Sequence, residues 1–260
     1  NTSVHFVIRN CGIHDGKSNN EYGIYFYNVI NGKIDSVTSY NNYHGVYLCS
    51  SSNNNAISAC NIYNNSEDGI YLWDSSNDNQ IINCTVYNNS EGVLLVSSSN
   101  NTITNCACYD NDDVGIYLSY SPNNAIVNCM CYNNWEGTTF VSSSDSNLIT
   151  NSTIYNNKQG IKIYGSSDSR IINCTVYKNF DYGGIVLGQY ANSNQITNCT
   201  VYNNSCGVYV NSFSNNTRIT NCKLYNNSGS IDIDHSNSTT ILNTTISNSA
   251  NIGINISYYT

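Results

Sequence analysis

The sequence repeats itself at a nearly constant interval, and this period restricts the fold more than any other feature. One motif is a glycine followed by alternating apolar residues, in steps of 22 to 24 residues; it begins at Gly23, Gly45, Gly69, Gly92, Gly115, Gly137, Gly160, Gly184, Gly207, Ser230 (serine in place of glycine) and Gly253. A second motif, most complete as Ile-x-Asn-Cys-x-apolar-Tyr, begins at Ile8, Ile34, Ile57, Ile81, Ile103, Ile126, Ile149, Ile171, Ile196, Ile219 and Ile241. Each motif occurs eleven times, and such a period is typical of repeat architectures.

Each repeat contains three short strands separated by turns. In the copy that begins at Gly92, alternation places Val93 and Leu95 on one face and Leu94 on the other. Asn105 marks the bend between the second and third strands, because asparagine tolerates the left-handed conformation that a sharp bend needs. A unit this short cannot bury its apolar face alone, so the repeats must stack as parallel, in-register coils with a triangular section. We predict one all-β solenoid domain over residues 1–260.

This pattern resembles the right-handed parallel β-helix repeat family, the pectate-lyase-like superfamily. It is most similar to the Asn-rich repeats of archaeal and bacterial surface proteins and to related periplasmic copper-processing proteins. The resemblance covers about residues 4 to 257. It implies a right-handed parallel β-helix of about eleven coils with three short strands per coil. The superfamily includes lyases, hydrolases, adhesins and structural proteins, so function must be argued from the surface residues.

Composition excludes several classes of partner. Charged residues make up 10% of the chain and the formal net charge is −8, which argues against binding to nucleic acid or to an anionic membrane. No apolar run approaches the length that spans a bilayer, so membrane insertion is not expected.

The start of the chain and its many Asn-x-Ser/Thr sequons predict an extracellular, glycosylated protein. The sequence begins at Asn1 without a leader-like segment, which we interpret as a mature secreted or cell-surface chain. The sequons that fall in turns are the preferred N-glycan sites, with an unmodified turn residue as the alternative at each: Asn64, Asn88, Asn100, Asn203, Asn215, Asn226 and Asn237. Asn83, Asn173 and Asn198 lie at the bend before a cysteine, where we expect crowding.

Cysteine recurs at one position of the repeat. It is found there at Cys11, Cys60, Cys84, Cys106, Cys129, Cys174, Cys199 and Cys222, and valine, serine or threonine fills the position in the other copies. This exchange predicts an inward, space-filling site that holds buried free thiols.

Two clusters of acidic residues could carry chemistry. Asp232 and Asp234, followed by His235, point outward by alternation and could act as a carboxylate pair. No arginine accompanies them, so a solvated polar face is the favoured interpretation and no catalytic residue is predicted. An acidic stripe precedes the repeat glycine in four successive copies. Solvated surface charge is the favoured interpretation and a calcium site near Asp68, Glu91, Asp113 and Glu136 is the alternative; no metal site is predicted outright.

Tyrosine forms two columns. One runs through nine successive copies as Tyr40, Tyr63, Tyr87, Tyr109, Tyr132, Tyr155, Tyr177, Tyr202 and Tyr225, and either points outward or folds over the turn. The other is predicted to form an exposed aromatic surface on the first strand of the repeat, at Tyr25, Tyr47, Tyr71, Tyr117 and Tyr209. Exposed aromatic stripes can bind sugars or protein surfaces.

The two ends of the solenoid show no capping segment. Uncapped, complementary ends favour head-to-tail stacking into a homopolymer, through Val4, Phe6, Ile8, Ile252, Ile254, Ile256, Tyr258 and Tyr259. The sequence therefore predicts a structural subunit of an extracellular glycosylated filament that is not an enzyme. A cell-surface adhesin or carbohydrate-binding β-helix is the alternative, and a polysaccharide lyase or hydrolase is third.

Overall fold

The computed structural model describes residues 6–16, 18 and 20–258, and this part of the chain contains only β-strands and turns. There is accordingly no helix within it that could cross a membrane. The strands form three parallel eleven-stranded sheets, which we call A, B and C. One strand from each sheet, taken in that order, makes a coil, and coils 1 to 11 follow the chain. The predicted β-helix with three short strands per coil is confirmed.

The strands of each sheet recur in the same order along the chain. Sheet A consists of Val7–Arg9, Lys33–Asp35, Ala56–Ser58, Gln80–Ile82, Thr102–Thr104, Ala125–Val127, Leu148–Thr150, Arg170–Ile172, Gln195–Thr197, Arg218–Thr220 and Thr240–Leu242. Sheet B consists of Gly12–His14, Thr38–Tyr40, Asn61–Tyr63, Thr85–Tyr87, Ala107–Tyr109, Met130–Tyr132, Thr153–Tyr155, Thr175–Tyr177, Thr200–Tyr202, Lys223–Tyr225 and Thr245–Ser247. Sheet C consists of Ile24–Tyr27, Val46–Cys49, Ile70–Trp73, Val93–Val96, Val114–Ser119, Glu136–Val141, Gln159–Tyr164, Gly183–Gly188, Cys206–Val210, Gly229–Asp234 and Ile254–Ser257.

The coils stack in register, so like residues lie on like residues. Ile81 pairs with Ile57 on the coil before it and with Ile103 on the coil after it, and all three are fully buried. Isoleucine, valine, leucine and cysteine fill the interior, and Phe140 is the largest fully buried side chain. Burying these apolar columns stabilises the stack, since no coil has a core of its own.

Buried asparagine amides join the coils at two of the three corners. Between sheets B and C the buried residues are Asn42, Asn65, Asn89, Asn111, Asn134, Asn157, Asn179, Asn204 and Asn227. Asn134 is typical: its Oδ1 accepts hydrogen bonds of 3.0 Å from the backbone N–H and from Nδ2 of Asn111. A shorter ladder of Asn55, Asn79, Asn101, Asn124 and Asn147 occupies the corner between sheets C and A. These amides satisfy backbone groups that the turns would otherwise leave buried and unpaired.

Exposed asparagines at the bends adopt the predicted left-handed conformation. Asn133, which precedes Asn134, is exposed and has φ 57°, and Asn105 at the A–B bend has φ 54°.

The cysteines are free thiols. All 12 lie within the described residues and none forms a disulfide. The predicted cysteine column is buried from Cys60 onward, whereas Cys11, in the first coil, is exposed. Cys84 is typical, with Sγ 3.4 Å from the carbonyl oxygen of Ile82. These thiols pack as small apolar groups with weak polar contacts.

Candidate functional site

The outer face of sheet C carries charged and aromatic groups side by side. Register places the residue before the repeat glycine of each coil in one column, which we call the edge column: Tyr22, His44, Asp68, Glu91, Val114, Glu136, Gln159, Gly183, Cys206, Gly229 and Ile252. The next outward position forms the middle column: Tyr25, Tyr47, Tyr71, Leu94, Tyr117, Thr139, Lys162, Val186, Tyr209, Asp232 and Asn255.

Three titratable groups stand in a row at the N-terminal end of the edge column. The Nδ1 atom of His44 accepts a hydrogen bond of 3.2 Å from the backbone N–H of Asp68 and lies 3.2 Å from Oδ2 of the same residue. Burial lowers the pKa of His44 to about 4, so the imidazole is neutral, with its proton on Nε2. Burial raises the pKa of Asp68 to about 7. It also raises that of Glu91 to about 7, helped by a hydrogen bond between the two carboxyl groups. The pair therefore shares protons close to neutral pH.

Tyrosine rings cover this row. Tyr47 packs against Tyr22 and Tyr71, with ring centroids 4.9 Å apart in both cases. Of the five tyrosines predicted to form an exposed surface, Tyr25 is 48% exposed, whereas Tyr71, Tyr117 and Tyr209 are half-buried. The prediction is wrong for Tyr47, which is only 8% exposed because its neighbours' rings lie over it. Leu94 separates Tyr71 from Tyr117, so the column is not one continuous aromatic stripe.

A cleft of about 290 Å³ lies beside the edge column at coils 6 to 8. Its lining residues are Trp135, Glu136, Lys158, Gln159, Lys162, Tyr164, Asp181 and Tyr182. Lys162 donates a 2.6 Å hydrogen bond from Nζ to Oε1 of Glu136, whose other oxygen accepts one of 2.5 Å from the Thr139 hydroxyl. Above this polar floor, Trp135 is 50% exposed and Tyr182 64% exposed. The Nζ atom of Lys158 lies 3.2 Å from the Trp135 ring centroid, within cation–π range.

The acidic stripe is more buried than solvated surface charge would be. Asp68 is 3% exposed and Glu136 8% exposed, whereas Asp113 lies at the surface. Among the described residues, no three side chains of histidine, cysteine, aspartate or glutamate come together in a way that could hold a metal ion. A calcium site at these carboxylates stays an untested alternative.

Asp232 and Asp234 lie in neighbouring columns of the outer face near the C-terminal end. Asp232 pairs with Tyr209 and Asn255, as alternation predicted, and accepts a 3.0 Å hydrogen bond from Nδ2 of Asn255. Oδ1 of Asp234 accepts a 2.9 Å bond from the Ser257 hydroxyl and lies 2.7 Å from Nδ1 of His235. An amide thus contacts the Asp232 carboxylate, and a hydroxyl and an imidazole contact that of Asp234.

The preferred glycan sites lie at the surface. Six of the seven are exposed and Asn215 is half-buried. Asn83, Asn173 and Asn198 are also exposed, so the expectation of crowding at the cysteine bend is wrong: the asparagine side chain turns outward while the cysteine turns in. Glycosylation itself stays a prediction.

The nine-tyrosine column folds against the turn. Its rings stack with centroids 4.8 to 5.1 Å apart and are half-buried. This geometry favours a structural role, in which the column stiffens the rod. It does not favour ligand binding, for which the ring faces would have to be free.

The residues predicted to mediate head-to-tail stacking lie on the terminal coils. Phe6, Ile252, Ile254, Ile256 and Tyr258 are exposed and Ile8 is half-buried. Val4 and Tyr259 lie outside the described residues. Stacking stays a prediction.

Several residues of the site escaped the sequence reasoning. His44 carries a signal that the repeat could have revealed, because aligning the copies on their glycines puts it in one column with Asp68 and Glu91. The same alignment puts Trp135, Lys158 and Tyr182 in one column, two residues before the glycine of three successive copies. Lys162 and Tyr164 lie two and four residues after the glycine of the middle copy, and the stack of coils brings them to the same cleft.

Comparison with known proteins identifies the family. The model that describes a right-handed β-helix region matches residues 1–100, 54–193 and 136–246, and the chain therefore belongs to the right-handed β-helix family. No curated protein sequence is similar enough to count as a relative.

Several solved structures share the fold. The A-module of the mannuronan C-5 epimerase AlgE4 from Azotobacter vinelandii superposes with a TM-score of 0.74 at 14% identity, over 98% of this chain and 88% of that one. An alginate lyase from Paenibacillus sp. gives 0.63 at 16% identity, over 88% and 92%. The Dettilon tailspike protein gives 0.62 at 13%, over 96% and 61%. At these identities the likeness concerns the fold.

Proposed function

We propose that this protein is an extracellular or cell-surface β-helix that binds a polysaccharide along the outer face of sheet C. The observation that carries the proposal is the cleft at coils 6 to 8. There, the exposed rings of Trp135 and Tyr182 stand beside the buried Glu136–Lys162 pair. Ring faces pack on the apolar faces of sugars, and fixed polar groups bond their hydroxyls. Neighbours of the same fold are named as acting on mannuronan and alginate, which supports a carbohydrate ligand.

Affinity electrophoresis tests the proposal. The protein is run in native gels that contain galactomannan, mixed-linkage β-glucan, xylan, alginate or polygalacturonate, and its retardation is compared with that in a plain gel. We expect retardation in at least one gel and its loss in Trp135→Ala. Met130→Ala is the matched control, since Met130 is a 48% exposed apolar side chain on sheet B. Retardation that survives in Trp135→Ala, or that none of the polysaccharides produces, contradicts the proposal.

A second candidate function, acid–base catalysis on a polysaccharide, is favoured by the His44–Asp68–Glu91 row. Two carboxyl groups with pKa values of about 7 can donate and accept protons at neutral pH, and Nδ1 of the neutral imidazole lies 3.2 Å from Oδ2 of one of them. The test incubates the protein with alginate and with polygalacturonate. Unsaturated products, new reducing ends and uptake of deuterium from heavy water are then measured. Activity that Glu91→Gln lacks would support this candidate, and no turnover of either polymer would exclude it for uronates.

Head-to-tail assembly is an independent expectation. Electron microscopy of the purified chain at high concentration tests it: filaments many coils long would support the filament subunit predicted from the sequence. Single rods would contradict it.

A further inference from the structure

A ridge of aromatic rings runs along the C–A corner at the C-terminal end of the rod. It consists of Tyr190, Phe213, His235 and Tyr258, one from each of coils 8 to 11. Successive ring centroids are 5.6, 6.3 and 5.7 Å apart. Tyr190 is 64% exposed, Phe213 41% and Tyr258 53%. The ridge is therefore a surface feature and does not belong to the apolar core.

The backbone under the ridge is in a conformation that bulky residues avoid. Tyr190 has φ 64°, Phe213 φ 63° and His235 φ 48°. Each precedes the small buried residue of the C–A corner, and the backbone N–H of that residue donates to a serine hydroxyl of the next coil in the first two cases. In other coils the same left-handed position holds Ser51, Ser75, Ser97, Ser143 and Gly165, with a single isolated ring, Tyr120, in coil 5. Three consecutive large rings at a position suited to serine or glycine are unfavourable for folding, which points to a role in binding.

Polar side chains flank the ridge. The amides of Asn192, Asn215 and Asn237 run beside the rings: Oδ1 of Asn192 accepts a 2.8 Å bond from the Asn215 backbone N–H, and Oδ1 of Asn215 one of 2.7 Å from Asn237. Asp234, in contact with His235, adds an acidic group. Rings next to amides suit a hydroxyl-rich ligand, whereas a polyanion would meet repulsion from Asp234.

The ridge begins close to the cleft. The ring of Tyr164, a cleft residue, lies over Gly188, where a Cβ atom would come within 2.7 Å of its Cε1. Gly188 is two residues before Tyr190. The missing side chain at Gly188 thus leaves room for the Tyr164 ring beside the corner that carries Tyr190.

We infer that the ridge is a second subsite for a neutral polysaccharide, and that one chain of the polymer crosses from the cleft over Tyr164 to the rings of Tyr190 and Phe213. This inference rests on the proposed function, which it extends in two ways. It gives the bound polymer a path over coils 6 to 11, and it assigns the ligand to neutral polysaccharides as opposed to uronates.

The test uses the residue that other coils carry at this position. Tyr190→Ser and Phe213→Ser, singly and together, should leave the urea unfolding midpoint unchanged or raised, because other coils carry serine at this position of the turn. Retardation in gels of galactomannan, β-glucan or xylan should weaken about tenfold in the double variant. Tyr120→Ser is the matched control. Tyr120 is 61% exposed with φ 50° in the same column, but coils 6 and 7 separate it from the ridge.

The outcomes separate the two proposals. If Trp135→Ala abolishes retardation and the ridge variants bind like wild type, the ridge inference is overturned and the cleft remains. If wild type is retarded only by alginate or polygalacturonate, the assignment to a neutral polymer is overturned. If no gel retards wild type, both fail.

Discussion

Lys162 reaches back across a coil boundary to place its Nζ atom 2.6 Å from Oε1 of Glu136. Its side chain is 23% exposed and that of Glu136 10%, so the ion pair is largely shielded from water. A carboxylate in such a position needs its partner, because water cannot replace the lost interaction. The pair therefore fixes the floor of the cleft next to the exposed Trp135 ring.

Removing the cation should destabilise the rod. Lys162→Met leaves Glu136 buried without its partner, and we expect the free energy of unfolding to fall by about 2 kcal/mol. Glu136→Gln in the same chain should restore most of the loss, since the amide carries no charge. Urea titrations of the two single variants and the double variant measure the coupling. Additive effects would show that the pair contributes nothing beyond its separate side chains.

Stability should depend on pH through the His44–Asp68–Glu91 row. The two carboxyl groups have pKa values of about 7 in the fold, against ordinary values of 3.8 and 4.5. Between about pH 4 and 7 the folded state thus binds more protons than the unfolded state. The stabilisation that these protons provide is lost as pH rises through that range. His44, with its pKa lowered from 6.5 to about 4, acts in the opposite direction below pH 6.5. The effect of two carboxyl groups is larger than that of one imidazole, so the net contribution of the row to stability falls as pH rises.

Glu91→Gln isolates this effect. With one carboxyl group removed, Asp68 and His44 nearly cancel below pH 6.5, and the difference in urea midpoint between wild type and variant should shrink steadily from pH 4.5 to 7.5. Asp112→Asn, a change at an exposed acid of coil 5, serves as the control. A constant difference across this range would mean that Glu91 does not hold the proton in the fold.

The buried amide ladder should tolerate substitution far less well than the exposed asparagine beside it. Asn134→Ala leaves the backbone N–H of Asn111 buried without its acceptor, which should cost about 3 kcal/mol. Asn133→Gly, at φ 57° in the same turn, should cost little because glycine favours that conformation. Chemical denaturation of both variants provides the comparison. Equal losses at the two positions would refute the ladder's role.

All 12 thiols should react after unfolding, whereas only one should react promptly in the native protein. Without reductant and in strong denaturant, a chromogenic disulfide reagent should titrate 12 thiols per chain. In the native protein only Cys11 should react promptly, since Cys206 is half-buried and the others are buried. A denatured count below 12 would reveal a disulfide. Prompt native labelling of Cys84 or its ladder neighbours would contradict the inward placement.

The repeat predicted the fold because one physical rule, stacking of identical apolar columns, operates in every coil. The column of Ile81 and the bends at residues such as Asn105 follow directly from alternation and from asparagine's tolerance of positive φ. The second asparagine of each Tyr-Asn-Asn turn was harder to interpret. Its sequence context is that of a surface turn, yet Asn134 is 5% exposed, because its amide replaces a missing strand hydrogen bond.

The site was less predictable because the side chains at one repeat position differ in chemical type from coil to coil. Trp135, Lys158 and Tyr182 all stand two residues before the repeat glycine, in coils 6 to 8, and a longer turn carries Tyr182 over the cleft. The predicted exposure of Tyr47 is wrong because neighbouring aromatic rings cover it. Alternation gives the direction in which a side chain leaves the strand, but the aromatic residues of neighbouring columns decide whether water reaches it.

The asparagine ladder between sheets B and C makes the junctions from coil 2 to coil 10 chemically alike. A coil presents to its successor the backbone N–H and amide donors that its predecessor presented to it, so duplication or deletion of one of these coils would create no new kind of junction. Gene-level gain or loss of single coils can therefore lengthen or shorten the rod in steps of about 4.8 Å. The reach of the outer face along a polymer becomes a quantity that evolution can adjust one repeat at a time, without redesigning the core.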